Sequence, residues 1–322
     1  MRRAFTKSFL LVVAVLVIAE IAVRVFWSRG LAGRFDYGYH PTAGFVEKSD
    51  GSLDLVRAGG RRFFPQHYAQ QKPAGTFRIM VVGDSVPRGP SLTETYSTRL
   101  AESLRARGVA AEGWNLCLPG YGAHRCHVVL AQALKYQPSL VIRHVNNSNE
   151  FEDERELRRS EDFQGWHPKN WLMKSLLVRR LHEAKTESVF WSLLPEKIRA
   201  QQGVNDAGAK IIAMTDEKQI RAWQERVRNF LAEDIAACRK AGVPVLLVTQ
   251  VRLRGSGAQA TLDDSGLDDL ARSFAAPGVD VLSMKESLSG MDFPPLFMDT
   301  AHLKATGHEV LARAIAEKIA PK

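Results

Sequence analysis

At 322 residues, with 45% hydrophobic and 25% charged side chains, the chain has the balance of a globular protein with one sizeable core, which excludes disordered and fibrous classes. Its net charge of +9 is uneven: residues 1–83 hold twelve Lys/Arg against five Asp/Glu, and the remainder is nearly neutral. Arg2, Arg3 and Lys7 precede a hydrophobic run, with Arg29 and Arg34 after it, so the excess reads as contact with anionic lipid. No nucleic-acid motif accompanies it, and no nucleic-acid partner is expected.

After a basic N-terminus (1–8), Phe9 to Ala19 form an unbroken apolar run, and residues 9–27 are long enough to span a bilayer. Glu20 and Arg24 lie four apart, share a helix face and can pair near the membrane boundary, which favours an uncleaved anchor. A cleaved signal peptide ending at Gly30-Leu31-Ala32 is the competing reading. Either one sends the rest of the chain to the periplasm or cell surface, or outside the cell if the segment is removed.

Residues 28–76 form a lead-in, irregular or hairpin-forming, that packs on the main domain, 77–322. That domain opens with Phe77–Val82, a buried parallel strand by its β-branched run, stopping at Gly83-Asp84-Ser85. A helix is predicted over 93–107, a strand over 113–116, a helix over 124–136 and the apolar strand Leu140–Val145. Residues 152–216 break the pattern with mixed charge and Trp166, Trp171 and Trp191, and read as a mainly helical insertion whose tryptophans fill a core, sugar stacking being the alternative. Alternation resumes with a helix over 217–241, the strand Val243–Val251, a helix over 262–275, the strand Val279–Ser283 and a last helix over 304–319. The expected fold is α/β, a three-layer α/β/α flavodoxin-like domain with a mostly parallel sheet of about five strands.

Ligands bind beyond the carboxyl ends of such strands, where Ser85 falls. A serine hydroxyl needs a base, an orienting carboxylate and donors for an oxyanion. Asp299 stands three residues before His302, a spacing that lets the carboxylate hold Nδ1–H and leaves Nε2 for the Ser85 proton. His124, His127, His144, His167, His182 and His308 have no spacing that calls for a site. Cys117, Cys126 and Cys238 lack CxxC or Cys/His spacing and read as buried thiols, a Cys117–Cys126 bridge being the alternative. No metal site is expected.

Four ordered blocks carry a resemblance. Val81-Val82-Gly83-Asp84-Ser85, Asn115-Leu116-Cys117-Leu118-Pro119-Gly120, the stretch ending Asn149-Glu150-Phe151, and Asp299 with His302 resemble the motif blocks of the SGNH (GDSL-like) hydrolase superfamily. The resemblance covers about residues 78 to 318 with the insertion excluded. It implies Ser85, Asp299 and His302 as catalytic residues, the Ser85 and Gly120 amides and the Asn149 side chain as oxyanion hole, and no cofactor. It departs in Val86 after the serine, in Cys117 and Asn147 where glycine is usual, and in Glu150 for aspartate. Asn147 leaves the choice among Asn146, Asn147 and Asn149 open, with Asn149 in the best register.

The activity so implied is ester hydrolysis through an acyl-enzyme, on small O-acyl groups such as those of a cell-envelope polysaccharide. The alternatives are acyl transfer to a glycan by the same residues and a non-catalytic glycan-binding protein on the same fold.

Overall fold

The computed structural model describes residues 2–26, 38–39, 44–58, 61–164, 166, 168–172, 174–178, 181, 216–255 and 259–319. Arg29, Arg34, the Gly30-Leu31-Ala32 site, His167, His182, Trp191 and most of the insertion lie outside the described residues.

The chain begins with α1, Arg2–Phe26. From Thr6 to Phe26 it is long and apolar enough to cross a bilayer, and Phe9, Leu11, Val15, Ile18 and Ile21 all face outward. Three strands follow, β1 (Phe45–Glu47), β2 (Ser52–Ala58) and β3 (Arg61–Ala69), in an antiparallel sheet. The lead-in is thus a small sheet where the sequence left irregular structure and a hairpin both open. Its last strand bonds directly to the main domain. The Gln66 amide donates to Asn115 O at 2.9 Å and accepts from Asn115 N at 2.8 Å, and Tyr68 OH donates to Gly113 O. Side chains of β3 thereby satisfy the outer edge of the main sheet, which would otherwise present open backbone groups.

That main sheet is five-stranded and wholly parallel. It comprises β4 (Phe77–Val82), β5 (Ala111–Asn115), β6 (Leu140–Val145), β7 (Val245–Thr249) and β10 (Val279–Ser283), in the order β5-β4-β6-β7-β10. The short antiparallel pair β8 (Arg252–Arg254) and β9 (Thr261–Asp263) lies beside it in sequence. Period-two alternation splits β4 between two cores: Met80 and Val82 face one, Ile79 and Val81 the other. On the first face pack α4 (Ala123–Ala133), α7 (Glu217–Lys240), α8 (Leu267–Arg272) and the small sheet. On the second pack α3 (Tyr96–Ala106), α9 (Met284–Ser287) and α10 (Ala305–Ile319). Helix α7 shows why these residues form such elements: Trp223, Val227, Leu231, Ile235 and Cys238 repeat at helical spacing as a buried stripe, and Asp216 caps its first turn.

After β6 run α5 (Glu150–Gln164) and α6 (Pro168–Leu172), so these described parts of the insertion are helical. Its tryptophans depart from expectation. Trp166 is 95% and Trp171 70% exposed, so neither fills a core. The cysteines are buried and free, with no Cys117–Cys126 bridge.

Strand β6 hides a departure from an apolar reading, because Arg143 and His144 are both buried in it. Arg143 Nε donates to Asp234 Oδ2 at 2.9 Å, and Asp234 Oδ1 lies 2.8 Å from His127 Nδ1. The charge is tolerated because it is paired and hydrogen-bonded.

Candidate active site

The order of the strands reverses between β4 and β6, and both strands release loops at the same sheet edge. That is the crevice in which open α/β sheets bind ligands. From β4 the chain turns at Asp84 into the four-residue helix α2 (Ser85–Arg88), with Asp84 Oδ1 accepting from Val86 N at 3.0 Å. Ser85 therefore begins a helix, where its own N–H has no intrahelical acceptor.

The other two residues predicted by spacing come from the loop before α10. Asp299 Oδ1 accepts from Ala301 N and His302 N, both at 2.8 Å, and its Oδ2 lies 2.7 Å from His302 Nδ1. Met298 N donates to His302 O and closes this loop on itself, and Leu253 N on β8 donates to Thr300 O and ties it to the rest of the fold. His302 Nε2 then stands 2.9 Å from Ser85 Oγ. An ionised carboxylate only accepts, so Nδ1 carries the imidazole proton and Nε2 presents a lone pair to the serine hydroxyl. Burial pushes the Asp299 carboxyl up, but the two backbone amides and the His302 ring outweigh it and hold the group below the usual range. It remains ionised at neutral pH.

The facing wall is made by Asn149 and the loop before α4. Asn149 Nδ2 donates to Asp84 Oδ2 at 2.8 Å, so the first residue of the serine turn also holds the amide of the β6 loop. Asn146 instead accepts from Ser148 N in a local turn, and Asn147 lines a separate cavity between α7 and α8 with Arg221 and Arg228. Among the three asparagines, it is Asn149 that reaches the serine turn. Asp84 is buried, and burial raises its pKa to about 6, against the hydrogen bonds from Val86 and Asn149.

Gly120 has a φ of +74°, in the left-handed region that a glycine enters without strain. Its carbonyl accepts from Arg125 Nη2 at 2.6 Å. The first turn of α4 is capped from outside by two carboxylates of α5. Glu150 Oε1 accepts from Ala123 N at 2.7 Å, while Asp153 accepts from Gly122 N, His124 N and Arg125 N at 3.1 to 3.3 Å. Asp153 also pairs with the Arg125 guanidinium. A Cβ at Gly122 would meet Glu150 Oε1 at 2.7 Å and Asp153 Cβ at 2.8 Å, so only glycine admits this close approach.

This brace was not predicted. Its signal was the acid-rich start of α5, Glu150-Phe151-Glu152-Asp153, which the sequence divides between the end of a motif block and the start of a mixed-charge insertion. Glu150, noted as a departure from aspartate, is buried and its pKa is raised by burial and by Asp153 beside it. The longer side chain reaches the Ala123 amide.

No family model matches the chain, and no curated protein matches it. Solved structures do. A catalytic mutant of an acetylxylan esterase from Geobacillus stearothermophilus is 10% identical with a TM-score of 0.46, over 76% of this chain and 94% of that one. A member of the lipolytic G-D-S-L family from Veillonella parvula is 12% identical with a TM-score of 0.41, over 76% and 99%. An acetyl xylan esterase is 15% identical with a TM-score of 0.42, over 75% and 99%.

Proposed function

We propose that the chain is a serine esterase of the SGNH type, with Ser85 as nucleophile, His302 as general base and Asp299 as its orienting carboxylate. The observation that carries this reading is the continuous row Asp299 Oδ2, His302, Ser85 Oγ, with contacts of 2.7 and 2.9 Å across residues far apart in sequence.

Ser85 Oγ attacks the ester carbonyl as its proton passes to His302 Nε2, and the imidazolium so formed is stabilised by Asp299. The carbonyl oxygen becomes an oxyanion, received by the N–H groups of Ser85 and Gly120 and by Asn149 Nδ2. Asn149 Nδ2 donates to Asp84 Oδ2 at 2.8 Å and, at a longer 3.4 Å, to Tyr121 O, and in the proposed reaction it exchanges the longer contact for the oxyanion. His302 then returns its proton to the leaving alkoxide, giving an acyl-enzyme and a free alcohol. Water, deprotonated by the same imidazole, attacks the acyl carbonyl, the bond to Ser85 Oγ breaks, and His302 returns its proton to that oxygen as the acid leaves. The proposal includes no cofactor.

The substrate class implied by the sequence resemblance is a small O-acyl ester of an extracytoplasmic glycan, with α1 holding the catalytic domain at the membrane. The test is hydrolysis of p-nitrophenyl acetate and longer acyl esters by the full chain in detergent, beside Ser85→Ala and His302→Ala. Turnover by the wild type and its loss in both variants is the expected result. A folded wild type that neither turns over esters nor forms a Ser85 adduct with an organophosphonate would overturn the reading in favour of a binding protein. A Ser85 adduct without hydrolysis, and turnover restored by a sugar acceptor, would make it an acyltransferase.

A further inference from the structure

Helix α1 carries one carboxylate within its apolar span. Glu20 lies six residues before Phe26, the end of that span, which places it about 9 Å inside at 1.5 Å rise per residue. A carboxylate at such depth is costly unless paired, and the partner it finds identifies what else is there. Arg24 Nε donates to Glu20 Oε1 at 2.8 Å from the next turn of the helix. The remaining donors come from the insertion, more than 150 residues away: Ser175 Oγ at 2.6 Å, Leu176 N at 2.9 Å and Leu177 N at 2.8 Å.

The backbone logic is specific. Ser175 precedes a short helical turn, and its Oγ accepts from Val178 N at 3.2 Å. Glu20 and Ser175 together satisfy three successive N–H groups that a helix start leaves open. In water such groups bond to solvent; in hydrocarbon each must find a protein acceptor. The side chains around this turn suit the same surroundings. Trp171 is 70%, Leu172 52% and Leu181 62% exposed, with exposed Lys174 beside them. Aromatic and aliphatic groups with a lysine form the pattern of a segment lying in the bilayer interface, about 5–10 Å deep. The depth set by Glu20 falls in that range.

We propose that the insertion segment around Trp171 to Val178 enters the lipid bilayer beside α1 as a second membrane contact, with Glu20 as the group that holds it there. The inference rests on reading α1 as an uncleaved transmembrane helix. The two contacts together fix the orientation of the catalytic domain against the membrane, where one helix alone would leave it free to swing.

The experiment places a nitroxide at Leu172→Cys in the full chain, reconstituted in vesicles of phosphatidylcholine and phosphatidylglycerol. The three native cysteines are buried and free, which favours labelling at the introduced site. A second label at Val15→Cys reports on α1 itself. The expected result is that both labels are relaxed more by oxygen than by a water-soluble nickel chelate. Adding Glu20→Leu should turn the Leu172 label to the chelate-accessible side and leave the Val15 label unchanged. A Leu172 label in water with a Val15 label in lipid would overturn the second contact, and both labels in water would overturn the anchor reading beneath it. A Leu172 label that stays in lipid in Glu20→Leu would overturn the role of Glu20.

Discussion

The two walls of the candidate site are built in opposite ways. The side chains of Asp299 and His302 are 55% and 38% exposed, and the hydrogen bonds within the pair are local to one loop. Behind the Gly120 loop, Asp153, Glu150 and Arg125 are all buried, and the carboxylates of α5 reach across to the start of α4 and to Arg226 on α7. An exposed pair is screened by water and contributes little to stability. Removing one partner of a buried ion pair is costly. The reactive wall should therefore be separable from the fold, and the brace should not.

The largest effect expected is on chemistry alone. Asp299→Asn removes the charge that sets the His302 tautomer, and ester turnover should fall on the order of 10⁴-fold, with the thermal midpoint unmoved. A midpoint that falls along with activity would show that the loop is a structural element and erase the contrast. Next comes Asp153→Ala, which removes the carboxylate that neutralises the buried Arg125 guanidinium and that accepts from the amides of Gly122, His124 and Arg125. The loss should be about 3–5 kcal/mol of stability, read as a lowered denaturation midpoint.

Asn149→Ala lies between the two walls. It deletes one donor of the proposed oxyanion hole, so kcat should fall about 10² to 10³-fold, and it also deprives Asp84 of a hydrogen bond. A pH–rate profile checks the second consequence. Asp84 already titrates near 6 through burial, and losing the Asn149 donor should move that ionisation upward.

The smallest effect concerns pH and stability. His308 on α10 is buried, Tyr96 N donates to its Nδ1 at 3.3 Å, and burial lowers its pKa to about 4. An unfolded histidine titrates near 6.5. Between those values the unfolded chain binds a proton that the folded chain refuses, so stability falls as pH drops, by ~1.4 kcal/mol per pH unit. His144, lowered to about 3 by burial and by Arg143, acts in the same direction, while Asp84 opposes it below pH 6. His308→Gln should flatten the slope between pH 6.5 and 4 by about one proton, as measured from urea midpoints across pH. An unchanged slope would mean that His308 already exchanges protons in the folded state.

What the sequence by itself determined is local. Phe77–Val82, Leu140–Val145 and Val279–Ser283 appear as strands with the predicted bounds, because a β-branched apolar run between turn residues has no other stable home in such a chain. Asp299 and His302 were legible for a similar reason: a spacing of three suffices to join their side chains. The ordered blocks anticipated Ser85 beside His302, but only the tertiary structure decided the contacts that no block names: strand order brings Asp84 to Asn149 and the start of α5 to that of α4. Charged residues proved hardest to read, since Arg143, Asp153 and Glu150 look like surface groups until partners from other elements satisfy them. The exposed Trp166 and Trp171 are the converse case, apolar side chains whose surroundings depend on which elements pack beside them.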